Sequence, residues 1–216
     1  MTNLQIAVDG PAGSGKSTVA KKIAEQLRIT YLDTGAMYRA VTYKALEAEI
    51  DLNDQAALKA VVDQMTICFN QNSIIVDGLD VSEAIRTQRV TLNVSLVSAD
   101  AYVRSEMVKR QQAIANGQSV IMDGRDIGTT VLPNASYKFF LVADPRERAR
   151  RRLAELSAKG FTGDLDEIVA DIIRRDTFDS NREVSPLKKA EDAIEIDTTD
   201  LTIEEVIEVI LKAVRS

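Results

Sequence analysis

The sequence of 216 residues predicts an α/β protein: a five-stranded parallel sheet, doubly wound by helices, with a small antiparallel insert. Three observations predict it. A G-x-x-x-x-G-K-S run at residues 10–17 lies between an apolar β-type segment and a helix-forming one. Short apolar segments then alternate with helical periodicity along most of the chain. One stretch breaks that rhythm with closely spaced β-type segments, as a meander would.

Taken in order, residues 4–9 form the first strand, and in the helix that follows Val19, Ile23 and Leu27 share one face. Residues 30–32 are a short strand, and 36–49 suit a helix. Between 53 and 65, Leu58, Val61, Val62 and Met65 recur at helical spacing. Segments 65–69 and 74–76 flank a polar turn at 70–73, and Asp77-Gly78 leads to a further segment at 79–81, which places the insert at about 62–98. Cys68 is expected to be a buried small hydrophobe, and Tyr38, Tyr43, Phe139 and Phe140 are expected in the core. Residues 119–122, 137–142 and 193–196 are the remaining strands. Asp144, Pro145 and Glu147 mark one helix start; Thr202 and Glu205 form a capping box before Val206, Ile207 and Ile210.

Composition narrows the chemistry. Lys plus Arg number 27 against 33 Asp plus Glu, a net charge of −6 that argues against broad binding to nucleic acid or anionic membranes. With no histidine and a single cysteine, the commonest general base and any internal disulfide are excluded, so catalysis falls to Asp, Glu, Lys, Arg or hydroxyl groups. No signal-type apolar region opens the chain and no run approaches membrane-spanning length, so a cytoplasmic, soluble protein is expected.

The strand-loop-helix setting makes Gly10, Pro11, Ala12, Gly13, Ser14, Gly15, Lys16, Ser17 and Thr18 a candidate phosphate site. Glycine lets the backbone curl with its N–H groups inward, and the following helix turns its positive end there. Lys16 supplies a mobile cation for β- and γ-phosphates, and the Ser17 hydroxyl can complete a Mg²⁺ shell. Asp123, behind a buried strand, can serve as a loop-capping acid, but it stands beside a phosphate loop where a Mg²⁺ water shell is often held, and that reading is preferred. Arginines leave several strand ends and loops: Arg39, Arg125, a run from Arg146 to Arg152, then Arg174, Arg175 and Arg182. They suit a second set of phosphates, since in-line phosphoryl transfer depends on positioning two anions and neutralising the moving group. Arg146 and Arg150 equally suit a solvated face paired with Glu147 and Glu155.

Five blocks together resemble the bacterial cytidylate kinases: residues 9–17, Leu32-Asp33-Thr34-Gly35-Ala36-Met37-Tyr38-Arg39, Ile85-Arg86-Thr87, Asp123-Gly124-Arg125-Asp126-Ile127-Gly128-Thr129, and Arg175-Asp176-x-x-Asp179-x-x-Arg182. The likeness runs from residue 4 to the C-terminus. It implies a nucleoside-monophosphate-kinase fold of the P-loop NTPase class: a core at 1–34 and 117–216 with a lid at about 148–165, and a CMP-binding region at 35–116. It also implies transfer of the γ-phosphoryl of ATP to CMP or dCMP with Mg²⁺. By the same likeness, residues 10–18 and Arg151 hold ATP, and Lys16, Arg125, Arg148 and Arg152 serve catalysis, with Arg148, Arg151 and Arg152 lying in the lid. Thr34, Arg39, Ser95, Arg104, Arg125, Asp126, Arg175, Asp179 and Arg182 bind CMP; Ser17 and, through water, Asp123 hold the metal. A monomer with no nucleic-acid or membrane partner is expected.

Thr34 stands where some relatives have serine, which keeps the hydroxyl and adds a methyl. Two rival classes remain open. A kinase for UMP, AMP or a non-nucleotide alcohol would keep the loop and change only the acceptor pocket. A GTPase-like switch needs an Asn-Lys-x-Asp element, which this sequence lacks.

Overall fold

Ile6, Ala7 and Val8 are fully buried because their strand, β1 (Gln5–Asp9), runs through the middle of a sheet. In a computed structural model, which describes residues 3–70, 73–158, 160 and 162–215, the chain continues as α1 (Lys16–Leu27), β2 (Thr30–Asp33), α2 (Thr34–Glu47) and α3 (Gln55–Gln64). Then follow β3 (Ile67–Asn70), β4 (Ser73–Val76), β5 (Leu79–Asp80), α4 (Gln88–Ala99), α5 (Ala101–Ala115) and β6 (Val120–Gly124). The chain ends with β7 (Tyr137–Val142), α6 (Pro145–Ala158), α7 (Leu165–Asn181), β8 (Ile194–Asp197) and α8 (Ile203–Arg215). The five-stranded parallel sheet has the order β2-β6-β1-β7-β8.

Two compact units divide the chain: residues 1–32 with 115–216, and residues 33–114. The first contains the parallel sheet, and its register places Asp9 opposite Gly124 on β6 and Phe140 on β7, so that the carboxyl ends of three strands lie side by side. One face is covered by α1 and α8, whose Val19, Ile23, Val206, Ile207 and Ile210 close on Ile6, Val8, Ile121 and Phe139. The predicted caps form: Asp144 Oδ1 accepts the N–H of Arg146 and Glu147, and Thr202 and Glu205 bond each other's backbone N–H at 2.8 and 3.2 Å.

The second unit holds α2 to α5 and an antiparallel sheet, β3-β4-β5. That sheet ends at Asp80; the stretch from there to residue 98, grouped with it from sequence, holds a 3₁₀ turn (Ala84–Arg86) and most of α4. The β-branched residues of 90–97 are a poor discriminator, because Val90, Val94 and Val97 are buried at helical spacing, not alternating. Cys68 also departs from expectation, being exposed: on β3 the inward positions are Ile67 and Phe69, and the two-residue period turns Cys68 outward. Tyr38 and Phe139 are buried as expected, while Tyr43 and Phe140 are only half-buried. Gln71 and Asn72 of the predicted turn, and residues 159 and 161 of the predicted lid, lie outside the described residues.

In the same unit Gln111, on α5, is 1% exposed, and neither its Oε1 nor its Nε2 has a hydrogen-bond partner among the described residues. A buried amide without partners carries the whole desolvation cost. Gln111→Met, which keeps length and removes both polar atoms, is therefore expected to stabilise the fold by about 1–3 kcal/mol, read as a rise in the urea midpoint at unchanged m-value.

Candidate active site

Asp9 hands the chain directly to Gly10, whose φ of +150° sets the first bend of the loop. Gly15 follows at φ +85° and precedes α1 without any side-chain cap, so the first-turn N–H groups of that helix are not claimed by a capping side chain. A loop built this way presents amide hydrogens and the positive helix end to an anion. Lys16 Nζ donates to the carbonyl of Pro11 at 3.0 Å and is buried within the same loop. The hydroxyl of Ser14 is buried and finds no hydrogen-bond partner among the described residues.

Ser17 lies in the first turn of α1 and donates its hydroxyl to Asp123 Oδ2 at 2.6 Å. Asp123 is buried near the end of β6, and its other oxygen accepts the Tyr31 hydroxyl at 2.8 Å. The sheet order, with β6 next to both β1 and β2, brings these three together. Two hard oxygen donors fit Mg²⁺, provided that phosphate oxygens and waters supply most of the shell. No cluster of three acidic, cysteine or histidine side chains able to hold a metal occurs among the described residues.

A second cluster starts one residue beyond β6. Arg125 Nε donates to Asp179 Oδ2 on α7 at 2.9 Å, and Arg182 lies 3.6 Å from Asp126 and 4.0 Å from Asp179. Burial opposes ionisation of Asp179, but Arg125, Arg175 and Arg182 together hold its carboxyl below the usual range. Burial, with Arg125 adding repulsion, lowers the Arg175 guanidinium to about 10, and its Nε has no hydrogen-bond partner among the described residues. Guanidinium groups crowded against too few carboxylates favour an added anion.

The two clusters are joined by Arg148, which is 4% exposed. Its Nε donates to the carbonyl of Ala143, and its Nη1 to the carbonyl of Ala12 at 3.0 Å and to Asp176 Oδ2 at 2.6 Å. Arg151 donates to the carbonyls of Thr198 and Thr199, and the Thr198 hydroxyl reaches the carbonyl of Ser14. Arg152 stays on the surface beside Glu155, as do Arg146 with Asp166 and Arg150 with Glu147. Of the run from Arg146 to Arg152, then, Arg148 and Arg151 are tied to the loop and Arg152 is not.

In the second unit Asp33 caps α2 through the N–H of Ala36, and Thr34 is buried at the helix start. Arg39 Nη1 donates to the Thr91 hydroxyl at 2.9 Å and to the carbonyl of Ile85 at 3.3 Å. Arg104 is 1% exposed, donates to the carbonyl of Ser98 and lies 5.1 Å from the centre of the Tyr38 ring. Ser95 is half-buried on α4. Within this unit the four predicted residues occupy α2, α4 and α5.

A family model described as cytidylate kinase matches residues 6–216. The chain belongs to the cytidylate kinase family. It is 51% identical to the cytidylate kinase of Halalkalibacterium halodurans over 219 residues, covering 100% of this chain and 99% of the relative. It is 54% identical to that of Clostridioides difficile over 214 residues, covering 99% of each. Among solved structures it is similar to a shikimate kinase from Bacteroides thetaiotaomicron, at a TM-score of 0.51 and 14% identity over 99% of both chains. That likeness shows a shared P-loop kinase fold and no more. The cytidylate kinase family thus accounts for the five blocks recognised in the sequence.

Three side chains at the site escaped the sequence reading: Asp9, Tyr31 and Asp176. Each acts through a partner 28 or more residues away, Asp176 on Arg148, Tyr31 on Asp123 at 92 and Asp9 on Ile127 at 118. Their one local signal was position, inside or beside a recognised motif.

Proposed function

We propose that the chain transfers the γ-phosphoryl group of ATP to CMP or dCMP, giving ADP and CDP or dCDP. The observation that carries this is the pairing, within the core unit, of a phosphate loop with a separate buried arginine cluster. Family membership gives the acceptor its name. Residues 10–18 bind the ATP phosphates through backbone N–H groups, with Lys16 on the transferred group and Arg151 nearby. Mg²⁺, held by Ser17 and through water by Asp123, neutralises phosphate charge when bound. Arg125 and Arg39 grip the CMP phosphate; Arg175 and Asp179 meet the ribose. Thr34, Ser95, Arg104, Asp126 and Arg182 read the cytosine, whose amino donor and carbonyl acceptor suit an acid and an arginine that uracil would leave unmatched.

An anionic CMP phosphate oxygen forms a bond to Pγ while the bond from Pγ to the β,γ-bridging oxygen breaks, and ADP leaves with that electron pair. The acceptor oxygen carries no proton at neutral pH, so no general base is required, in keeping with a chain that has no histidine. Arg148 and Arg152 stabilise the charge of the moving group from a lid at about 148–165, which excludes water. The CMP-binding region spans about 35–116. The reading makes the protein a cytoplasmic monomer without nucleic-acid or membrane partners; its net charge of −6 supports the last two, in that it opposes broad binding to nucleic acid or anionic membranes. No helix among the described residues is long and apolar enough to cross a membrane.

A coupled ADP-release assay over CMP, dCMP, UMP and AMP tests the reading. Turnover with the cytidine nucleotides and little with UMP or AMP is expected; equal turnover with UMP or AMP overturns the acceptor assignment.

Tyr31→Phe removes the hydroxyl that steadies Asp123 Oδ1 while keeping the ring. Loss of such an orienting partner is expected to raise the Mg²⁺ concentration for half-maximal rate about 10-fold, with the KM for CMP unchanged. A titration of rate against free Mg²⁺ checks this.

A further inference from the structure

Asp9 is 4% exposed at the end of β1, immediately before the phosphate loop, and both of its oxygens are used. The N–H of Ile127 donates to Oδ1 and the N–H of Gly128 to Oδ2, each at 2.8 Å. These two donors open a one-turn π-helix, Ile127–Val131. Further along that turn, the N–H groups of Thr130 and Val131 close on the carbonyl of Asp126, at 2.9 and 3.2 Å. The segment carrying Arg125 and Asp126 is therefore stapled at its far side to the strand that launches the loop. Such an acid is costly to bury: desolvation pushes its carboxyl up to about 7, against the pull of the two N–H groups. An apolar residue filling the same space would avoid that cost and leave both amides unpaired. Gly128 packs beside the acid: an added Cβ would stand in ordinary contact 3.4 Å from Asp9 Oδ2 and, more tightly, 3.1 Å from Lys138 Cδ.

We propose that Asp9 is a positioning residue that locks the segment bearing Arg125 and Asp126 to the phosphate-loop strand, and so sets discrimination among nucleoside monophosphates. The proposal rests on the acceptor reading above, in which Arg125 meets the CMP phosphate and Asp126 reads the base. Asp9 touches neither substrate in this scheme; it holds the residues that do.

The test compares wild type with Asp9→Asn, which is nearly isosteric but turns an NH₂ toward one of the two N–H donors. The CMP-to-UMP ratio of kcat/KM is expected to fall about 10-fold or more, through a raised KM for CMP, while the KM for ATP stays within about 2-fold. Amide exchange at Ile127 and Gly128 is expected to speed up, with α1 still protected. An unchanged ratio, whether rates are normal or fall in parallel for CMP and UMP, overturns the proposal. Should Asp9→Asn not fold, Asp9→Ser carries the test: it fits the space but removes the two-oxygen grip on the N–H groups of Ile127 and Gly128, and the ratio is expected to fall in the same direction. An unchanged ratio there overturns the proposal equally. Failure of the acceptor reading shows separately, as a wild-type enzyme with no preference for CMP.

Discussion

Lys16→Ala is expected to lower turnover by about 10²- to 10³-fold while CMP binding stays within about 2-fold of wild type. The asymmetry follows from where the ammonium sits. Lys16 is buried inside the phosphate loop, 3.0 Å from the Pro11 carbonyl, whereas the guanidinium groups assigned to CMP stem from the segment after β6, from α2, α5 and α7 and from the residue after α7. Charge that builds on the transferred phosphoryl would lose its nearest mobile cation; the acceptor phosphate would keep its own. Steady-state rates with saturating CMP, and calorimetric titration of CMP into the variant, measure the two sides. Near-normal turnover would show that the loop lysine does not meet the transferred group, and a parallel loss of CMP affinity would contradict the two-site division.

Gly10→Ala is expected to damage both stability and ATP binding more than any other single methyl added to the loop. A Cβ there would fall 2.2 Å from the carbonyl oxygen of Leu141, a backbone atom of β7 that cannot swing aside, and φ at +150° already disfavours an L side chain. Relief requires β1 and β7 to part or the loop to lift. A loss of about 2–4 kcal/mol in denaturant unfolding is expected, with ATP affinity reduced at least about 100-fold in the folded fraction. Gly15→Ala is the informative control. No atom lies within 4 Å of its added Cβ, so it bears only the strain of φ +85° and is expected to cost about 1 kcal/mol.

The loop was legible because its requirements are local. Gly10, Gly15, Lys16 and Ser17 act within a single turn between β1 and α1, and spacing along the chain translates directly into spacing in space. Asp123 was legible for a related reason: an acid at the end of an apolar run marks the carboxyl edge of a parallel sheet, where ligands of such folds bind. The role of Arg148 read differently. Sequence placed it with Arg151 and Arg152 in a lid, yet one helical turn separates their fates, since Arg148 turns inward to Ala12 and Asp176 while Arg152 turns to solvent beside Glu155. Four residues apart, the two share one helix face, and what separates them is the Ala12 carbonyl and Asp176 beside the earlier turn, which only the fold supplies.

The chain's pattern by itself determined the alternating βα order, the helix caps at Asp144 and Thr202, the phosphate loop and the family, since each depends on neighbours a few residues apart or on a recognisable block. Tertiary structure alone decided that Tyr31 would hold Asp123, that Asp9 would staple the segment after β6, and that Cys68 would face outward while Gln111 went in. The reason is the sheet order β2-β6-β1-β7-β8, which sets strands far apart in sequence about 5 Å apart in space. Side chains at adjoining strand ends then meet through the fold, and nothing in their own stretch of chain announces the partner.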